Sequence, residues 1–158
     1  MQKITPFLWF DTNAEEAVDF YLSVFKEGKI NRVLRYTEAG PGPAGTVLTI
    51  GFEINGQEFT AINGGPTFKF TEAVSFAISC ETQEEIDYYW EKLIECGGAP
   101  SQCGWLKDKY GLSWQVVPPV LIDMLADDDV EKATRLMNAM FTMQKLDIAK
   151  LTEAYNGG

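Results

Sequence analysis

Two segments of the chain, FLWFDTNAEEAVDFY (7–21) and FAISCETQEEIDYYW (76–90), match without a gap. One constant offset places Phe7 on Phe76, Glu15 and Glu16 on Glu84 and Glu85, and the pair Phe20 and Tyr21 on Tyr89 and Trp90. Each copy reads as an apolar strand, a turn and an amphipathic helix. In the second copy Thr82 and Glu85 make a T-x-x-E capping box, and in the first Asn13 and Glu16 take the same places. Both helices should therefore start at equivalent points. A unit repeated in this way restricts the fold to one that uses the same supersecondary element twice.

The segments after the two helices extend the repeat. Residues 28–40, 45–56 and 57–65 are rich in β-branched residues and broken by Gly, Pro and Asn-Gly turns, so the first copy continues into three strands. Asn55-Gly56 suits a tight two-residue hairpin because both positions can take positive φ. After the second helix, 97–118 supplies a short edge segment and a hairpin of about 103–109 with 112–117. In YGLSWQVVPP (110–119), Leu112, Trp114 and Val116 face one way and Ser113, Gln115 and Val117 the other. A glutamine in such a strand requires a hydrogen-bonding partner. The turn Lys107, Asp108 and Lys109 reads as solvated charge. GPGPAG (40–45) reads as a turn and not a phosphate loop, because no helix follows it. Beyond Pro118 the chain is helical: Val130, Ala133, Met137, Met140 and Phe141 recur at helical spacing as a stripe that covers the core or seams a dimer. Asp127 to Asp129 stand at the favourable end of that helix. A last short helix ends at Asn156-Gly157.

Composition then removes whole classes of function. The 158 residues suit one domain, or two small half-domains sharing a core, and 46% hydrophobic residues are enough to build it. A net charge of −10 with no basic stripe argues against nucleic acid as a partner. No apolar run approaches the roughly 20 residues that span a bilayer, so no membrane partner is expected. Cys80, Cys96 and Cys103 form neither a C-x-x-C pair nor an even set, and no leader pattern precedes the first folded segment, so a cytoplasmic protein with free thiols is expected. Histidine is absent. Its absence excludes histidine-based triads, zincin motifs and histidine–carboxylate metal sites together.

The strings ITPFLWFDTNAEEAVDFY, FKFTEAVSFAISCETQEEIDYYWEKL, CGWLKDKYGLSWQVVP and RLMNAMFTMQKLDIAKL, in that order, resemble the PhnB-like group of the glyoxalase, or vicinal oxygen chelate, superfamily. Members of that group often carry the label demethylubiquinone methyltransferase. The resemblance implies an α+β fold of tandem βαβββ modules (glyoxalase/bleomycin resistance/dioxygenase-like) with a C-terminal helical tail. The expected organisation is a two-module domain over 1–118, with modules of about 1–66 and 67–118, and a helical extension over 119–158 packing on the domain or on a dimer partner. It further implies curved sheets enclosing a cleft, commonly in a homodimer. The methyltransferase label conflicts with the sequence: a Rossmann-type cofactor site needs a glycine-rich first strand-to-helix turn, and here that turn is FDTNAEE.

In metal-using relatives four ligands, mostly His and Glu, come from the first and a late strand of each module. By strand position they fall near Thr5, Thr60, Ser75 and Gln115. Hydroxyls and one neutral amide give a divalent ion no charge compensation, so no metal and no cofactor are expected. These four groups, with Phe7, Trp9, Trp105 and Lys107, are the expected contacts of a small-molecule ligand. The expected function is the binding of a small, partly aromatic or apolar molecule by a homodimer. The alternatives are an enzyme of the superfamily (a metal-dependent lyase, isomerase or dioxygenase, or the labelled methyltransferase) and an interaction protein working through its tail helix. No catalytic residue is assigned. Cys103 would need Lys107 or Lys109 to activate it.

Overall fold

The computed structural model describes residues 2–158. They form two compact units, which divide between Phe70 and Thr71. The first contains β1 (Phe7–Phe10), α1 (Ala14–Val24), β2 (Gly28–Arg35), β3 (Val47–Ile54) and β4 (Gln57–Asn63). The second contains β5 (Ser75–Ser79), α2 (Gln83–Ile94), β6 (Ala99–Pro100), β7 (Trp105–Lys107) and β8 (Ser113–Val117), followed by α3 (Pro119–Leu125), α4 (Val130–Met140) and α5 (Ile148–Asn156). The sheets have the orders β1-β4-β3-β2 and β5-β8-β7-β6. In each, the first strand pairs parallel with the last and the remaining pairs are antiparallel. The duplicated βαβββ topology of an α+β fold is present, with β6 the shortened strand.

Alternation decides which face each sheet gives its helix. In the first unit Leu8, Phe10, Ile50, Phe52, Ile54, Phe59 and Ala61 are buried together with Ala17, Val18, Tyr21 and Val24 of α1. Tyr21 stacks on Phe52 and Phe52 on Phe59, with centroids 6.3 and 5.5 Å apart. In the second unit Ile78, Leu106, Trp114 and Val116 are buried together with Ile86, Trp90 and Leu93 of α2. The tail helices close a core of their own, Leu121, Met124, Leu136, Leu146 and Leu151. Gln83 of α2 anchors it by donating to Leu146 O (3.0 Å) and accepting from Ile148 N (2.9 Å). Asp129 caps α4, accepting from Glu131 N and Lys132 N, while Asp127 accepts from the Tyr155 hydroxyl.

The gapless repeat holds for the helices: Ala17, Tyr21 and Val24 match the buried Ile86, Trp90 and Leu93. It slips by one residue in the strands. Phe7 is 62% exposed on the face away from α1, whereas Phe76 lies on the α2 face beside Trp114, its parallel partner. A one-residue slip reverses a strand's faces, so Phe7 and Phe76 are not equivalent in space. The two helix starts differ as well. The Thr82–Glu85 capping box is complete, but Asn13 makes no side-chain cap. The Ala14 N–H donates instead to Asn63 Oδ1 at the end of β4, 2.8 Å away.

Two further expectations need correction. Asp108 is not solvated: it is 2% exposed and accepts three hydrogen bonds. Of the Met/Phe stripe, Met140 packs against the tail core, but the stripe does not supply its buried centre. Leu136 fills that role, and Val130, Met137 and Phe141 are exposed.

Candidate functional site

The face of each sheet turned away from its helix carries the residues singled out from the sequence. In the first unit Phe7 pairs with Thr60 and Trp9 with Ile62, so all four share the open face. Thr5 lies two residues before β1 and is half-buried. The Trp9 indole N–H donates to Gly65 O (2.9 Å) and its ring meets Phe68 edge-on at 4.9 Å, which fixes its orientation.

In the second unit Trp105 and Ala77 flank Gln115, while Lys107 and Ser75 flank Ser113. All lie on the open face. Gln115 Nε2 donates to Ser75 Oγ at 2.9 Å. That bond answers part of the glutamine's need and leaves its carbonyl oxygen on the open face. Lys107 is ion-paired with Glu72, whose carboxyl is held below the ordinary range by the lysine's hydrogen bond. Ser113, absent from the sequence-based selection, is 1% exposed and its hydroxyl has no hydrogen-bond partner. Its place two residues before Gln115 on the same face was the available signal.

The hairpin carrying these residues depends on Asp108. Its Oδ1 accepts from Tyr110 N (2.9 Å) and Leu112 N (3.1 Å), and its Oδ2 from the Trp114 indole N–H (2.9 Å). The carboxylate thus fixes the turn between β7 and β8 and, through it, the register of Trp105 against Gln115.

The four positions matched to metal ligands by strand position carry no donor set suited to a divalent metal. Thr5, Thr60, Ser75 and Gln115 offer neutral oxygens only, and Ser75 and Gln115 bond each other. Among the described residues no group of three His, Cys, Asp or Glu side chains could hold an ion.

Neither Cys80 nor Cys103 has an activated thiol. Burial raises the pKa of Cys103, and burial followed by the Glu85 charge pushes Cys80 up to about 12. Iodoacetamide at pH 8 should modify the exposed Cys96 and leave Cys80 untouched until urea unfolds the chain. Labelling of Cys80 in the native protein, read by peptide mass spectrometry, would contradict this burial. Because the unfolded thiol ionises first, Cys80 also makes the fold lose stability as pH rises from 9.0 towards about 12.

Sequence reading missed a cleft of about 450 Å³ in the first unit, bordered by Asp11, Glu15, Tyr36, Gly42, Asn63 and Gly64. The GPGPAG turn is one of its walls. A Cβ at Gly42 would overlap the Tyr36 ring, so glycine lets the turn lie against that ring.

Two βαβββ units, each a four-stranded sheet with its first strand parallel to its last, give the chain the glyoxalase-like, vicinal oxygen chelate fold. Within it, the chain belongs to the family described as 3-demethylubiquinone-9 3-methyltransferase, whose model matches residues 2–117. The PhnB protein of Bacillus cereus, which shares that family description, is 45% identical; the match covers 74% of this chain and 99% of that one, with a TM-score of 0.66. A Pseudomonas aeruginosa protein matches in fold at 20% identity, 75% and 98% coverage and a TM-score of 0.61. The fosfomycin resistance protein FosX of Listeria monocytogenes does so at 16% identity, 75% and 93% coverage and 0.51. No curated protein matches the chain. No described helix is long and apolar enough to cross a membrane.

Proposed function

We propose that this protein binds a small, partly aromatic or apolar organic molecule on its open sheet faces, without a metal or cofactor. The observation that carries this reading is the face of the second sheet. There Gln115, hydrogen-bonded to Ser75, stands beside Trp105 and near a buried Ser113 hydroxyl with no partner. A neutral amide, hydroxyls and an indole orient and cover an uncharged ligand, whereas they lack the acid, base or metal that most chemistry requires. Thr5, Phe7, Trp9 and Thr60 offer apolar surface and hydroxyls on the first sheet, and Lys107, ion-paired with Glu72, offers a charged group on the second. Binding alone is a sufficient function for such a site. The reading includes a cytoplasmic homodimer, for which the exposed Val130, Met137 and Phe141 offer apolar contact area.

Native mass spectrometry of protein purified without chelators tests the reading. The expected result is a metal-free dimer retaining an organic mass. In Gln115→Leu that mass is lost, with affinity down about tenfold and melting temperature preserved. One transition metal per chain, or full retention by the variant, would overturn it. The family description favours a second reading, methyl transfer. It predicts a rise in melting temperature with S-adenosylmethionine, although each sheet has only one parallel pair and neither forms the parallel sheet of a Rossmann-type cofactor site.

A further inference from the structure

The cleft in the first unit is separate from the open sheet face. It lies where the parallel strands β1 and β4 both end, at the start of α1, with Asp11 and Thr12 supplied by the chain after β1 and Gly64 and Gly65 by the chain after β4. A hydrogen bond from Gly65 N to Asp11 O (3.1 Å) ties those two segments together. On the other side stand Tyr36, Pro41 and Pro43. The Tyr36 hydroxyl donates to Asn63 O at 2.6 Å, and Tyr36 also bonds Gly45 and Thr46 through its backbone, so the wall is fixed at several points. At about 450 Å³ the space lies within the range of small-molecule sites.

Its charge is one-sided. Two carboxylates, Asp11 and Glu15, border the cleft, and no Lys or Arg does. Asn63 holds Glu15 in place: its Nδ2 donates to Glu15 Oε1 (2.7 Å) and to Val47 O (3.0 Å), while its Oδ1 accepts from Ala14 N (2.8 Å). With one carboxylate oxygen engaged in this way, the other is available to a ligand. Anions are repelled by this pair. A divalent metal lacks ligands, since no group of three suitable side chains occurs among the described residues and hard cations want more carboxylate oxygens than two side chains give. An ammonium group needs less: its N–H donors match two carboxylates and a neighbouring hydroxyl of Thr12 or Thr46. Tyr36, Pro41, Pro43 and Val47 give an apolar body somewhere to lie.

We propose that this cleft is a binding site for a small organic ammonium ion bearing an apolar group. It uses different residues from the open-face site, so either site can exist without the other.

The test is a titration of the full-length, ¹⁵N-labelled protein with 2-phenylethylammonium, followed by NMR, with phenylacetate as the charge-reversed control. Saturable shifts of the Thr12, Thr46 and Gly64 amides are expected in the millimolar range, with none from phenylacetate. Glu15→Gln keeps an oxygen to accept from Asn63, and Asp11 is exposed, so Glu15→Gln and Asp11→Asn should both fold; each should weaken binding at least fivefold. No saturable shift at those amides, equal binding of phenylacetate, or wild-type affinity in both folded variants overturns the proposal. If one variant fails to fold, the other decides.

Discussion

Asp108→Ala should lower the unfolding free energy by about 3–5 kcal/mol, because three donors lose their buried, charged acceptor. The carboxylate is 2% exposed, and alanine would strand the Tyr110 and Leu112 amides and the Trp114 indole N–H without an acceptor. Each stranded donor costs about 1–3 kcal/mol. Asp108→Asn separates shape from charge. Its carbonyl can still accept from the two backbone amides, but its NH₂ then meets the indole donor, so a smaller loss of about 1–3 kcal/mol is expected. Urea unfolding followed by tryptophan fluorescence measures both. A midpoint for Asp108→Ala within error of wild type would mean that the carboxylate does not hold the turn. Because that turn sets Trp105 opposite Gln115, the same variant should also weaken any ligand held by Gln115.

Asp108 shows where sequence reading fails and why. The residues Lys-Asp-Lys suggested a charged turn, and the two lysines obscured the aspartate between them. What distinguishes it is local, an Asx-type turn back to Tyr110 and Leu112, and a contact with Trp114 six residues on that no charge pattern reveals. The topology was easier to read, because a duplicated strand-helix segment leaves its mark in matched residues. Strand faces within it were less secure. Helix positions tolerate no insertion without turning the apolar stripe, so Tyr21 and Trp90 stayed equivalent. The turn ahead of each helix can absorb one residue, and the strands slipped there. The strand positions taken from the family resemblance, and the side chains chosen beside them, nevertheless fall on open faces, Phe7, Trp9 and Thr60 on one and Ser75, Trp105, Lys107 and Gln115 on the other. The tail stripe misled for a different reason. Helical spacing shows which residues share a face, but Leu136 and not Met137 meets the other tail helices.

The start of α1 provides a second test, one in which sequence and structure predict opposite results. By sequence Asn13 is the cap, and Asn13→Ala should cost about 1 kcal/mol. In the structure Asn13 makes no side-chain cap, and Asn63, far along the chain, accepts from Ala14 N while donating to Glu15 and Val47 O. Asn63→Ala should therefore cost about 2–3 kcal/mol, a cap together with two further hydrogen bonds, and Asn13→Ala less than about 0.5 kcal/mol. Urea midpoints at unchanged m-values would report both; the reverse ranking would return the cap to Asn13. Asn63→Asp narrows the cause. It keeps an oxygen for Ala14 N but brings a carboxylate against Glu15, where the amide had donated, and should lose nearly as much as alanine. If it instead stays near wild type, the cap alone matters and the bond to Glu15 contributes little. A non-local cap of this kind cannot be recognised from the residues around the helix start, since its donor and acceptor meet only once β4 has paired with β1.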